Sequence, residues 1–170
     1  MSRASSARTG CLAILWCICA CVPVKAGYRS IYMTNHCSMV VSIEASLLLE
    51  LTPPDSLGHG RGGEFLHCDV DILAPRDSRI LVHVQRLGIS PVSDHSDRLQ
   101  LYEGSPSNTR LTPIKGLYGR LDRPLSISDI PGSKVKDYKT SSNKLKVDYL
   151  GKPTRATPGF QLIITAVQGQ

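Results

Sequence analysis

The feature that most constrains the fold is an alternation of apolar and polar residues that recurs along the chain between turn signals. In residues 41–51, apolar side chains occupy every odd position. The same period of two returns in residues 70–72, 80–85, 97–104, 145–149 and 160–166. A period of two places successive side chains on opposite faces of a strand, so these segments predict an all-β fold, an antiparallel β-sandwich. Helical crossovers, which a parallel α/β sheet needs, are not evident.

Two stretches interrupt this alternation. Residues 52–63 hold Pro53, Pro54 and four glycines, and this composition predicts a loop. Residues 105–140 are polar, carry four prolines and contain only short apolar fragments. We expect long loops with two short strands there.

The first 26 residues are typical of a secretory signal. Arg3 and Arg8 give a positive start, and residues 11–24 are almost entirely apolar. This run is shorter than the roughly 20 apolar residues that cross a bilayer, and it ends before small or aliphatic residues suited to a signal peptidase. We expect cleavage after Ala26, with an uncleaved anchor helix as the alternative. No second long apolar run follows, so we predict no membrane span and a secreted product.

Cleavage changes the cysteine count and the charge. Four of the six cysteines leave with the signal, so Cys37 and Cys68 remain. In an oxidising export route two cysteines most simply form one disulfide, because zinc needs four closely spaced ligands. Three basic residues and no acidic residue also leave, so the net charge of +6 falls to +3.

Residues 97–104 read Asp-x-Leu-x-Leu-x-Glu-Gly, and related segments lie on both sides of them. Cys68 opens Cys-x-Val-x-Ile-x-Ala-Pro, residues 79–84 form an aliphatic strand, and residues 141–149 read Ser-Ser-x-x-Leu-x-Val-x-Tyr before Gly159-Phe160. In order and spacing, these segments resemble a CUB domain, the extracellular β-sandwich of complement proteases, tolloid-type proteases, neuropilins and spermadhesins. The resemblance implies a jelly-roll-like sandwich. It divides the chain into a signal peptide (1–26), a short N-terminal segment (27–36) and a CUB-like domain (37–168).

The resemblance also implies a Cys37–Cys68 disulfide, whose closure of a loop of about thirty residues is typically worth about 2–4 kcal/mol. The chain departs from the family elsewhere. Asp94 and Tyr118 stand where the family has its second cysteine pair, and Val70 replaces its tryptophan. The chain therefore resembles a divergent member.

Many CUB domains bind calcium at one end of the sandwich, and calcium takes six to eight oxygen ligands with carboxylates among them. The three acidic positions that the resemblance implies fall on Ser90, Asp97 and about Lys152 in this chain. Only Asp97 keeps a carboxylate, and a lysine adds positive charge. We therefore predict that the family-type calcium site is lost, that Asp97 is a vestige of it, and that no cofactor is bound. A weak site built from Asp94 and Asp97 is the alternative.

Catalysis finds little support in the sequence. Five histidines are present, but they show no His-x-x-x-His or His-Glu-x-x-His pairing, and no Gly-x-Ser-x-Gly elbow occurs. We expect no enzyme activity. A metal-dependent hydrolase remains a third possibility that no motif favours.

A run of lysines is the best indication of a ligand. Its members are Lys134, Lys136, Lys139, Lys144 and Lys146. Lys144 and Lys146 are predicted to project from the outer side of one strand, where they favour a sulfated glycan or an acidic protein. An ordinary solvated face is the alternative. Nucleic acid is disfavoured because no aromatic residues are interleaved with the basic ones.

The sequence therefore predicts a secreted module that binds an extracellular protein or glycan through loops on a rigid sandwich, around residues 90–97, 104–108 and 151–158. The alternative is a structural component that self-associates through an outer sheet face. The sequence sets no oligomeric state.

Overall fold

The computed structural model describes residues 28–52, 65–90, 97–104, 108–121 and 137–168. The predicted signal peptide lies outside these residues. A single 3-10 turn, Met33–Asn35, accompanies the strands in the described part of the chain. The strands are β1 (Arg29–Tyr32), β2 (Met39–Ser42), β3 (Ser46–Glu50), β4 (Leu66–Leu73), β5 (Ser78–Ile89), β6 (Arg98–Glu103), β7 (Gly119–Leu121), β8 (Asp137–Lys139), β9 (Lys144–Gly151) and β10 (Gly159–Gln168).

The strands form two sheets. The first has the order β1-β3-β10-β5-β7, with β8 also pairing with β5, and the second has the order β2-β4-β9-β6. The prediction of an all-β sandwich is confirmed. Both sheets are mixed rather than purely antiparallel, because β1 runs parallel to β3 and β2 runs parallel to β4. The two short strands expected within residues 105–140 correspond to β7 and β8.

The core lies between the sheets and consists of the apolar residues of the alternating pattern. Leu145, Val147 and Tyr149 of β9 face inward, opposite Leu162 and the other inward residues of the first sheet. The Tyr149 ring meets that of Phe160 at the start of β10, with ring centroids 5.9 Å apart. A tilted aromatic pair of this kind is a favourable packing arrangement that joins the two sheets at one end.

One predicted strand is wrong in its extent. Residues 41–51 form two strands, β2 and β3, which belong to different sheets. The chain bends at Glu44 and Ala45, after the N–H of Ile43 donates to the Leu73 carbonyl of the second sheet at 2.9 Å. The Ala45 carbonyl then accepts from Ala166 of the first sheet at 2.7 Å. The alternation continues through the bend because both strands face the same core.

Residues 29–35 belong to the folded body, although the sequence set them apart as a short N-terminal segment. β1 adds a parallel strand to the first sheet, and Met33 is fully buried. The predicted disulfide between Cys37 and Cys68 is confirmed, with Cα atoms 5.1 Å apart and Cys68 buried in the core. It attaches the chain after β1 to the start of β4.

The free edge of β6 is covered by an irregular segment, residues 108–118. Leu99 and Leu117 exchange two backbone hydrogen bonds at 3.0 and 2.8 Å, and the N–H of Leu111 donates to the Leu101 carbonyl at 2.9 Å. Covering an edge in this way satisfies backbone groups that would otherwise invite another strand. This segment also brings its own side chains beside those of β6.

Candidate functional site

Strand β9 carries two lysines of the predicted patch and leads into the predicted binding loop of residues 151–158. Its burial alternates, so that Lys144, Lys146 and Asp148 lie on the outer face while the residues between them enter the core. The predicted outward projection of the two lysines agrees with this pattern. What each lysine can bind then depends on the side chains that β4 and β6 place beside it.

The charge of Lys146 is balanced within the sheet. Its Nζ lies 2.9 Å from Oδ2 of Asp69 on the adjacent strand β4. This hydrogen-bonded contact lowers the pKa of Asp69 and raises the pKa of Lys146, although partial burial opposes both shifts. The next outward carboxylate, Asp148, lies 3.0 Å from Nε2 of His67. The middle of β9 therefore presents paired charges rather than free cations.

The described lysines of the predicted patch do not share one surface. Lys139 lies on β8, which pairs with β5 in the first sheet, whereas Lys144 and Lys146 lie on β9 in the second. Lys139 is exposed and its neighbour Tyr138 is buried, so Lys139 projects from the opposite outer face of the sandwich. Lys134 and Lys136 lie outside the described residues.

The predicted binding loops also separate. Residues 90 and 97 lie at the same end of the sandwich as residues 151–158, because β6 begins where β9 ends. Residues 104 and 108 lie at the other end, where the N–H of Gly104 donates to the Lys144 carbonyl at 3.2 Å. We call the first of these ends the loop end.

Asp97 occupies the interior of the loop end. It is 6% exposed, and its Oδ2 accepts a hydrogen bond from the backbone N–H of Lys152 at 3.3 Å. A Cβ at position 151 would lie 2.9 Å from Cγ of Asp97 and 2.8 Å from Oη of Tyr149, so this approach requires Gly151. Burial, reinforced by the nearby Asp97 carboxylate, raises the pKa of Tyr149. Asp97 thus fixes the path of the chain after β9.

The described oxygen donors at the loop end do not match a calcium site of the family type. Of the three positions that the resemblance implied, Asp97 supplies the one carboxylate, and one of its oxygens is already held by an N–H group. Lys152 brings its backbone N–H and an exposed side chain. Within the described ranges, no group of three His, Cys, Asp or Glu residues could hold a metal. Asp94 lies outside those ranges, and the loss of calcium binding stays a prediction.

The structure brings two cations to this end that sequence reasoning did not select. Arg98 follows Asp97 and stands opposite Leu150 of β9 in the ladder. Leu150 precedes Lys152 by two residues. On its other side, a Cβ at position 116 would lie only 2.9 Å from Cβ of Arg98, which places Lys115 next to it. The outward position of Arg98 follows from the period of two, but nothing in the sequence places Lys115 beside it.

Two histidines form hydrogen-bonded pairs with carboxylates on the outer faces. His67 lies 3.0 Å from Asp148 on the second sheet, and Nδ1 of His83 lies 2.6 Å from Asp137 on the first. In the described part of the chain, no third side chain hydrogen-bonds to either histidine. A nucleophilic site needs a hydroxyl or thiol within reach of the base, so these pairs do not by themselves form such a site. His59 and His95 lie outside the described residues.

A small open cavity of about 90 Å³ lies at the loop end on the side of the first sheet. Glu50, Arg86, Pro158 and Phe160 are among its lining residues. The carboxylate of Glu50 is already hydrogen-bonded, because its Oε2 accepts from the Gln161 amide at 2.6 Å. The volume suits a few water molecules rather than a cofactor.

Comparisons with known proteins support the fold alone. No family model matches the chain, and no curated protein matches it either. Among solved structures, the chain is similar to part of the full extracellular region of zebrafish Gpr126/Adgrg6, with a TM-score of 0.51 and 14% sequence identity. The likeness covers 78% of this chain and 15% of that one. In the described residues, no helix is long and apolar enough to cross a membrane. The chain thus has a β-sandwich fold like one found within an extracellular protein.

Proposed function

We propose that this chain is an extracellular binding module of the CUB type, which recognises a protein or glycan partner without catalysis. The observation that carries the proposal is the sandwich itself, closed by the Cys37–Cys68 disulfide and similar to part of an extracellular region. Disulfides form and persist in oxidising compartments, which agrees with export of the chain. The order of CUB-like sequence segments supports the finer assignment.

The partner binds at the loop end. This end combines exposed loop residues with a rigid base, since the disulfide, the Tyr149–Phe160 ring contact and the buried Asp97 lie beneath it. Loops held by a rigid scaffold are where binding residues concentrate. The opposite end, around Gly104 and Lys144, lacks a disulfide among the described residues.

Expression of the full chain in animal cells tests the proposal. The protein is expected in the medium with a mature N-terminus at Gly27, and its disulfide is expected to resist mild reduction. Affinity capture from extracellular fluid then compares the protein with a variant in which residues 152–157 are replaced by a Gly/Ser linker. Loss of a captured partner with the linker variant supports binding at the loop end. Retention of the chain inside the cell with a reduced Cys37 would overturn the proposal.

A second function, a structural component that self-associates, is favoured by one observation. The edge strand β2 exposes two adjacent apolar side chains, Met39 at 52% and Val40 at 64%. An apolar edge strand can pair with a strand of another copy. Sedimentation over a wide concentration range separates the two functions, since the binding module is expected to stay monomeric. Association that Val40→Lys abolishes would instead support assembly.

A further inference from the structure

Three cations lie on neighbouring segments of backbone at the loop end. Arg98 is central, because Leu150 of β9 faces it on one side and the backbone at Gly116 contacts it on the other. Lys152 follows Leu150 by two residues, and Lys115 precedes Gly116. In the described residues, none of these three side chains forms an ion pair or hydrogen bond. Their charges therefore stay available to a ligand.

The guanidinium of Arg98 contains a hydrogen-bond donor that lacks an acceptor. Its Nε atom is buried and finds no hydrogen-bond acceptor within the described part of the chain. A buried donor without an acceptor is unfavourable in a native structure and calls for an explanation. The Arg98 side chain as a whole is partly exposed, so an outward rotation of its guanidinium would let a bound oxyanion accept from Nε. The planar fork of arginine suits groups with two or three oxygens, such as sulfate.

Among the described residues, no carboxylate cancels the charge of this surface. Asp97 is the nearest acid in sequence, but it is buried and its Oδ2 is held by the Lys152 N–H. Asp148, the outward acid in the neighbouring row of β9, lies against His67. Within the described ranges, the exposed charges beside Arg98 are therefore positive.

The three cations also follow a line. Lys152 lies just beyond β9, Arg98 lies on β6, and Lys115 lies on the segment that covers β6. Neighbouring backbones in such a ladder are spaced by roughly 5 Å. A linear polymer with repeated anionic groups can engage all three at once, whereas a compact anion reaches one or two. This arrangement distinguishes a chain-like ligand from an isolated ion.

We propose that the surface formed by Arg98, Lys115 and Lys152 binds a sulfated glycan, with a sulfate group seated on the Arg98 guanidinium. The proposal rests on the proposed function, since it names the partner class for the loop end of that binding module. It assigns the glycan to cations different from those that the run of lysines suggested.

Heparin is the probe, and salt-dependent affinity to it is the measurement. The double variant Lys115→Gln with Lys152→Gln changes only exposed side chains and is expected to weaken binding about fivefold. Arg98→Gln removes the fork and is expected to weaken it about tenfold. The matched control, Lys139→Gln with Lys144→Gln, removes the same number of charges elsewhere and is expected to change binding less than twofold. Equal losses in control and test would overturn the assignment.

Two further probes separate a glycan from an acidic protein. Heparin stripped of its sulfate groups is expected to lose most of its affinity, and polyglutamate of similar length is expected to compete poorly. Ile114, which is 80% exposed beside Lys115, would serve an acidic protein as an apolar anchor. Ile114→Ser should therefore leave heparin binding unchanged. Effective competition by polyglutamate would show that the site recognises acidic protein instead.

Failure of this proposal is distinguishable from failure of the proposed function. If the secreted protein captures a partner through residues 152–157 but ignores heparin, the glycan assignment alone is wrong. If the chain is retained in the cell, the extracellular function is wrong whatever heparin does.

Discussion

The lysines at the two ends of strand β9 differ in their electrostatic surroundings. Lys146, in the first half of the strand, meets Asp69 across the sheet at 2.9 Å and is neutralised there. Lys152, just beyond the other end, contributes its backbone N–H to a buried carboxylate while its side chain stays exposed. A run of like charges along one strand therefore says little about surface potential until the side chains that the neighbouring strands place beside it are known.

The register explains the contrast. β4 places Asp71 opposite Lys146 and Asp69 opposite Asp148, so acids lie beside the middle of β9 on the β4 side. Toward the loop end, β4 places His67 and β6 places Arg98 opposite Leu150. Acidic neighbours are thus replaced by neutral or basic ones within a few residues.

Removing the disulfide should have the largest effect, because it braces the loop end. Cys68 is buried and stands opposite Tyr149 in the β4–β9 ladder. Replacing Cys37 and Cys68 with Ala is expected to lower the free energy of unfolding by about 2–4 kcal/mol, as measured by denaturant titration.

The protein with both cysteines replaced by Ala also tests whether the disulfide stabilises one end of β9 more than the other. Hydrogen exchange should accelerate more at residues 149–152 than at residues 144–146 after the disulfide is removed. A uniform acceleration along β9 would contradict the view that the disulfide braces one end.

Loss of the buried carboxylate should come next. Asp97→Ala leaves the Lys152 N–H without its acceptor beneath the loop end, so we expect a loss of about 1–3 kcal/mol in thermal or denaturant unfolding. Asp97→Asn keeps an acceptor oxygen and should cost less. If Asn costs as much as Ala, the negative charge rather than the hydrogen bond holds this end.

Breaking the Lys146–Asp69 pair should have a small effect that depends on pH. Both side chains are partly exposed, so Lys146→Met is expected to cost less than about 1 kcal/mol at neutral pH. The lowered pKa of Asp69 means that its contribution is full above its ordinary value of 3.8 and disappears as pH falls through the lowered value.

The raised pKa of Lys146 sets the upper end of the pH range in which the pair contributes to stability. Its contribution is full below its ordinary value of 10.5 and is lost as pH rises through the raised value. The stability difference between Lys146→Met and the unchanged protein should therefore vanish in acid and at high pH. Lys152→Met, beyond the other end of β9, should show no such pH dependence. A similar pH dependence would mean that Lys152 is also paired with a carboxylate.

Calcium should have the smallest effect. Since Asp97 is the one remaining carboxylate of the three family positions, millimolar calcium is expected to leave the melting temperature unchanged, with magnesium as the control. A calcium-specific rise would show that other oxygens complete a site at the loop end, and heparin binding there would then need to be tested again with calcium removed.

Much of the fold followed from local patterns. The period of two located most of the strands because an alternating segment can bury one face only by joining a sheet. Two cysteines outside the predicted signal indicated the disulfide, which the structure confirms. The pattern failed at Glu44 and Ala45, where the chain changes sheets without changing which side faces the core. It also missed β1, whose short segment gains stability by pairing with β3.

The candidate site was less accessible to sequence reasoning. Lys144 and Lys146 were correctly placed on an outer face. The carboxylate that pairs with Lys146, Asp69, lies far earlier in the chain, on β4. Arg98 was visible in the motif of residues 97–104, yet its unsatisfied Nε depends on a distant segment folding over it. Contacts of this kind join residues that no local pattern relates.

Alternation and cysteine spacing are visible in the sequence alone, and they were enough to predict a β-sandwich closed by the Cys37–Cys68 disulfide. Which charges are neutralised depends on the folded structure, because the register of β4, β9 and β6 determines which side chains meet. Electrostatic attraction falls with distance and is screened by water, so a lysine beside a carboxylate and a lysine without one differ in function even on the same strand.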